Sequence, residues 1–263
     1  MAEILLNNAV LILAVMLLLL LVAVRIGDVS FIDAVWGAGM ALLAAASWWQ
    51  VGDRGPRATL IAGMAVIWGL RLGIHLYLRW RSAGEDPRYT KILGPARDKG
   101  RFASGAFKRV FGPQAVLLWI TCLPAQMGAA ASGSAAVGTL AMAGAALWLL
   151  GMVFETVGDW QLARFRADPA SKGKVLDTGL WHYTRHPNYF GDACVWWGIW
   201  LAAAEASWPV ALGSMIGPLF LTFTLTRWSG KPLLEQGLAK SRPGYAEYVA
   251  RTSGFIPWPP RPS

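Results

Sequence analysis

Seven runs in this 263-residue chain are long and apolar enough to cross a bilayer as helices, and no other feature narrows the possible folds as far. A spanning helix needs about 20 mostly apolar residues. Such runs lie at 4–24, 31–49, 58–80, 113–131, 135–157, 189–206 and 208–228. Inside hydrocarbon every backbone N–H and C=O has to be satisfied within the protein, which makes runs of this length helical. The expected fold is all-α integral membrane, with seven transmembrane helices in a single polytopic domain over 1–263. Only Glu3 is charged before Arg25, and no small-residue cleavage site precedes the second run. The first run therefore reads as a retained helix and not as a signal peptide. The last two runs are nearly contiguous and should form a tight helical hairpin.

Charge then orients the bundle. Only 15% of residues are charged, against roughly 25% in soluble domains, which excludes a soluble globule and a disordered chain. The net charge of +9 is no nucleic-acid signal, because the basic residues sit in gaps between apolar runs and not on one polar face. The segments at and after the ends of runs one, three, five and seven hold one, nine, five and six Lys and Arg, 21 of the 24. The opposite side has Arg54 and Arg57, and Arg71 lies within run three. The positive-inside rule puts the amino terminus outside and the carboxyl terminus in the cytoplasm, as a multi-pass protein of the cell (inner) membrane. The long polar segments 81–112 and 159–187 and the tail from 229 are then all cytoplasmic, so a water-soluble cofactor has to be held there. The small-residue stretch 128–144 reads as a helix-packing surface. Cys122 and Cys194 lie inside apolar runs and make neither a disulfide framework nor a metal site.

Two segments on that face carry the chemistry. Where run five leaves the membrane, Glu155, Asp159, Leu162 and Arg166 are spaced four, three and four apart, which puts them on one helix face. Glu155 is expected at membrane depth, where an ionisable group is costly and functional by default. The blander alternative is an intrahelical network that only brings Asp159 to water. Ahead of run six, Trp181, His182, Tyr183, Arg185, His186, Asn188 and Tyr189 gather around Pro187, which suits the first turn of a helix. A helix N-terminus favours phosphate or carboxylate. Gly191 lets a ligand or a neighbouring backbone come close, and Asp192, one turn in, can take ribose hydroxyls or a carboxamide. An interfacial belt would explain Trp181 and Tyr183. It would not explain Arg185 to Tyr189 together with an acid inside the run.

The block Arg185-His186-Pro187-Asn188-Tyr189-Phe190-Gly191-Asp192 resembles the signature of the membrane steroid and sterol reductases, in the branch of bacterial steroid 5-alpha-reductase-like membrane proteins (DUF1295). Asp33 with Trp36-Gly37, Glu85-Asp86-Pro87-Arg88-Tyr89, Phe154-Glu155, Ser229-Gly230-Lys231-Pro232-Leu233-Leu234-Glu235 and Arg242-Pro243-Gly244-Tyr245 are similar as well. The resemblance implies a seven-helix fold and NADPH bound from the cytoplasm by a half of the chain at about 135–263. It also implies reduction of a conjugated carbon–carbon double bond in a lipid-soluble substrate, with no metal. The family's cofactor positions fall on Asp159, Leu162, Arg166, Trp181, Asn188, Tyr189 and Asp192; Glu155, Arg185 and His186 join them from the residue argument above. Where steroid 5-alpha-reductases carry a Gln-Glu pair near the start of the second span, this chain has Ile32-Asp33. Where they carry His-Tyr, it reads His75-Leu76-Tyr77, and a shift of one residue turns a side chain by about 100°.

For the proton side, Asp33 and Tyr77 are the expected catalytic donors to a substrate carbonyl, with His75 or Glu155 next in line. Burial would raise the pKa of Asp33 and let it hold a proton. A transferase is the competing class: isoprenylcysteine and phospholipid methyltransferases carry a similar Arg-His-Pro block and bind S-adenosylmethionine there. A lipid-binding protein without catalysis is a third class, and it gives no reason for ionisable groups clustered at membrane depth.

Overall fold

The computed structural model describes residues 1–228 and 230–261. Ser229, which opens the Ser-Gly-Lys-Pro motif, lies outside the described residues. The chain is all-α: its one β feature among the described residues is an isolated bridge between Thr184 and Ser253. In chain order the first helices are α1 (Ala2–Ile26), α2 (Ile32–Gln50), α3 (Pro56–Ala83), α4 (Pro87–Arg97), α5 (Phe102–Ala106), α6 (Gly112–Thr121) and α7 (Leu123–Ser132). They are followed by α8 (Thr139–Ala167), α9 (Leu180–Tyr183), α10 (Pro187–Ala204), α11 (Trp208–Ser214), α12 (Ile216–Phe223), α13 (Lys231–Ser241) and α14 (Tyr245–Arg251).

This is a multi-pass membrane protein. Among the described residues, four helical stretches are long and apolar enough to cross a bilayer: α1, α3, α8 and Trp208–Ser241. The pair Phe102–Thr121 and Leu123–Ser132, bent by 44°, makes a fifth if it is one broken span. The bend falls where Pro124 opens α7, and a proline, lacking an N–H, is the usual cause of such a kink. The second and sixth apolar runs of the sequence form α2, of 19 residues, and α10, which starts Pro-Asn-Tyr and carries Asp192 one turn in.

The helices fall into two compact units, Met1–Met142 with Ile199–Gly217 and Ala143–Gly198 with Pro218–Ser263. In the first unit, α2 and α3 touch backbone to backbone, and a Cβ at Gly37 would collide with Gly69 and Gly73. Small residues let helices approach this closely in lipid, where apolar burial alone does not drive association. A buried polar clamp then fixes α1 against α2 and α7. Asn8 Nδ2 donates to Ser47 Oγ at 2.7 Å and Gln126 Oε1 at 2.9 Å, and Gln50 Nε2 donates to Asn8 Oδ1 at 3.0 Å. Arg57, at the start of α3, pairs with Glu205 at 3.1 Å.

The second unit is organised by glycines seven residues apart. Gly144, Gly151 and Gly158 lie along α8, and Gly191 and Gly198 along α10. A Cβ at Gly191 would lie 2.5 Å from the amide nitrogen of Glu155 and 2.6 Å from the carbonyl oxygen of Gly151. At Gly198 it would meet the carbonyl oxygen of Gly144 at 2.5 Å. A seven-residue step returns to nearly the same helix face, so these glycines form one seam. Of the two roles the sequence leaves to Gly191, the structure gives it the neighbouring backbone. The seam brings the acid face of α8 to the first turn of α10.

Candidate functional site

At that crossing the acids of α8 are buried: Glu155 is 3% and Asp159 7% exposed. Both lie on one continuous helix with Leu162 and Arg166, as their spacing requires, and Arg166 reaches the exposed end. Pro187 begins α10, as expected of a residue with no N–H to lose. Asn188, next in line, donates from Nδ2 to Asp159 Oδ1 at 3.0 Å. Its Oδ1 accepts the amide N–H of Tyr189 at 3.1 Å. Trp181 is buried and donates its indole N–H to the carbonyl oxygen of Gly158 at 3.1 Å. Asp192 is half-buried on α10, one turn beyond Asn188. Asp159, Asn188 and Trp181 therefore come together around the seam, with Glu155 one turn deeper along α8.

Arg185 and His186 have a different set of partners. The Arg185 guanidinium donates to Glu235 Oε1 at 2.9 Å and to the carbonyl oxygens of Thr252 at 2.5 Å and Val249 at 3.2 Å. Its own amide donates to the carbonyl of Ser253 at 2.9 Å. His186 Nε2 lies 3.0 Å from Glu235 Oε1, and its ring stacks on Tyr189 with centroids 5.2 Å apart. Burial, opposed by Glu235 and helped by Arg185 and Lys231, holds this histidine below its ordinary pKa. Thr184 donates to the carbonyl of Phe255 at 2.8 Å, Tyr248 to that of Trp181 at 2.5 Å, and Arg251 pairs with Asp177. The segment before α10 is thus latched to the segment after α13, and Arg185 is its main bolt. Glu235 was visible only as part of a family-like motif; nothing in its spacing names Arg185 and His186 as partners.

Of the two expected donors in the first unit, Asp33 is occupied. Its Oδ1 accepts from the Tyr89 hydroxyl at 2.6 Å and its Oδ2 from Arg88 at 2.7 Å, with Arg79 at 3.5 Å. Asp86 caps α4 through the amide of Arg88 and also holds the Arg88 side chain. Burial alone would raise the Asp86 carboxyl, but these Arg88 contacts outweigh it and hold the pKa below the usual value. Burial, then the neighbouring Asp33, pushes the Tyr89 phenol far above its ordinary pKa. Gln114 Nε2 donates to the same hydroxyl at 3.3 Å, and Gln114 Oε1 is buried with no partner among the described residues. Tyr77, 44% exposed, instead lines an apolar groove of about 490 Å³ among α1, α2 and α3, with Leu19, Phe31, Ala34, Gly73 and Trp80 around it. Asp33 is not in its wall. Sequence reasoning did not single out Tyr89 or Arg88, although both stand in the Glu-Asp-Pro-Arg-Tyr motif it quoted.

The second unit's polar set suits a dinucleotide or nucleoside: an amide and buried acids gathered at the start of a helix. The first unit's groove suits an apolar body. Three curated relatives match part of the chain, each named 3-oxo-5-alpha-steroid 4-dehydrogenase 1. The protein of Mus musculus is 37% identical over 84 residues, 32% of this chain and 29% of the relative. That of Rattus norvegicus is 36% identical over 85 residues and that of Bos taurus 35% over 83, with the same shares covered. The matched stretch thus spans less than a third of those relatives' own length. No solved structure gives a significant match. One family matches residues 19–252, nearly the whole chain, under the description "Protein of unknown function (DUF1295)", and the chain belongs to that family.

Proposed function

We propose that this protein is a membrane-embedded, NADPH-dependent reductase of a conjugated carbon–carbon double bond in a steroid-like or other lipid substrate. The observation that carries the reading is the Asn188–Asp159 hydrogen bond at the start of α10. An amide fixed by a buried acid at a helix N-terminus is suited to a carboxamide or a ribose, and curated relatives are named as steroid dehydrogenases. Asp159, Leu162, Arg166, Trp181, Asn188, Tyr189 and Asp192 would hold the cofactor, with Glu155 behind them and Arg185 and His186 positioning the start of α10. When bound, the nicotinamide would supply a hydride. On the proton side, Tyr77 is the donor in the apolar groove, and Asp33 holds Arg88 and Tyr89 beside it. Their work is to stabilise negative charge as it grows on a substrate carbonyl.

The same reading takes the chain as one polytopic domain with seven crossings, an external amino terminus, a cytoplasmic carboxyl terminus and a cofactor half at about 135–263. The 21 Lys and Arg on one side support that orientation. Thermal shift on detergent-purified protein tests the function, since a ligand that binds only the folded state raises its stability. NADPH should raise the melting temperature, and Asn188→Ala and Arg166→Ala should each weaken cofactor binding by about tenfold while the protein stays folded. A shift with S-adenosylmethionine and none with NADPH replaces the reductase with a methyltransferase. Unchanged cofactor affinity in both variants removes the site assignment.

A further inference from the structure

The second unit also has a pocket, of which the helix-face argument marked only Arg166 and the family-like tail only Arg242. It has a volume of about 230 Å³ and sits where α8 ends, with Arg166, Lys172 and Arg242 in its wall. The three cations come from three places in the chain: the last turn of α8, the loop after the short helical turn Pro169–Ser171, and the residue that follows α13. One carboxylate, Asp168, also lines the pocket, and its Oδ1 accepts the amide N–H of Ala170 at 2.9 Å, capping that turn. The buried Ser171 hydroxyl donates to the carbonyl oxygens of Phe165 and Asp168. Neither Lys172 nor Arg242 forms an ion pair among the described residues. Three cations against one carboxylate leave the pocket with a formal charge of +2.

We propose that this pocket binds a phosphate monoester dianion, namely the extra phosphate on the adenosine ribose of a phosphorylated nicotinamide dinucleotide. The inference rests on the cofactor reading above and adds to it the residues that select the phosphorylated cofactor. Guanidinium groups bind phosphate oxygens in pairs, and an ammonium adds a point charge. A bare ribose hydroxyl in the same place leaves like charges facing one another, so the discrimination is partly repulsive. Arg166 lies seven residues beyond Asp159, about 10 Å along α8. A dinucleotide can bridge that distance; a lone phosphate ester cannot.

The experiment is equilibrium binding to full-length protein in detergent, wild type against the double variant Lys172→Gln/Arg242→Gln. The probes are adenosine 2′,5′-bisphosphate, 5′-AMP, NADPH and NADH. The wild type should prefer the bisphosphate over 5′-AMP, and NADPH over NADH, by about tenfold or more. The double variant should lose most of both preferences with 5′-AMP affinity unchanged. Preferences that survive in the variant overturn the proposal and leave the cofactor reading standing. If neither dinucleotide binds the wild type, the cofactor reading falls and this one falls with it. If the variant instead loses co-purifying anionic phospholipid while its nucleotide preferences hold, the pocket is a headgroup site and the proposal is wrong.

Discussion

Asp33 in the first unit and Asp159 in the second are both acids near the polar end of a helix, and their surroundings differ in kind. Asp33 stands in a rim of matched charges: Arg88 and Tyr89 take its two oxygens, Asp28 holds the Trp80 indole and Glu85 holds Arg97. Beside that rim the cavity is apolar. Asp159 instead faces an amide at the first turn of a helix, and the pocket further along its helix is lined by cations with little opposing charge. Around Asp33 the first unit pairs its charges, and beside them it leaves an oily groove. The second gathers polar groups and leaves a cationic pocket. One chain thus offers an apolar surface and a cationic one, the two kinds that the proposed function calls for.

The contrast can be broken most forcefully at the seam. Gly191→Ala puts a methyl against the backbone of α8, which cannot move aside as a side chain would. It should cost about 3 kcal/mol or more, at the upper end for overpacking. Gly63→Ala, where a Cβ meets nothing within 4 Å, should leave stability unchanged. Melting temperatures of the two purified variants decide; equal values would mean the glycine seam is not what holds the second unit.

Turnover sharpens the comparison from the other side. Tyr77→Phe should keep cofactor affinity and lower turnover by roughly 10²-fold, the usual scale for lost acid catalysis, and Asp33→Asn should lower it by releasing Arg88 and Tyr89. Because Asp33 also anchors Arg88, its variant should in addition melt earlier, while Tyr77→Phe should not. If Asp33→Asn lowers only stability, Asp33 belongs wholly to the rim and has no part in turnover. The smallest effect concerns pH. Folding lowers the pKa of His186 from its ordinary 6.5, so the unfolded chain binds a proton more readily. Stability should therefore be complete above about pH 6.5 and fall as the pH drops below it. His186→Gln should flatten that slope in melting curves taken from pH 7.5 to 5.5.

Much of this was legible in the residues. The spacing of Glu155, Asp159, Leu162 and Arg166 gave their shared helix, and Pro187 gave the first residue of α10. Both are local rules, fixed within a turn or two of chain. Asp33 shows the limit: its depth near the start of α2 could be read, but Tyr89 and Arg88 reach it from 55 and 56 residues away. No periodicity encodes such a partner. Arg185 shows the same limit more sharply. Its charge at a helix N-terminus suggested an anion, and the fold gives that guanidinium to Glu235 and to two backbone carbonyls. Arg242 lay in a family-like tail with no chemistry attached, because a cationic pocket built from three separated positions leaves no local pattern.

The latch that holds the start of α10 also sets an order of events during synthesis. Tyr248, Thr252 and Phe255 pair with Trp181, Arg185 and Thr184 across 67 to 71 residues of chain. At about 5–20 residues per second, the ribosome delivers those partners several seconds after the segment they secure. Until then Arg185 has Glu235, 50 residues on, as its partner and lacks the backbone carbonyls that complete the latch. The latch of the second unit is therefore finished late, and a chain cut short before Tyr245 would carry every one of its proposed cofactor contacts and only the Glu235 part of the latch that aligns them.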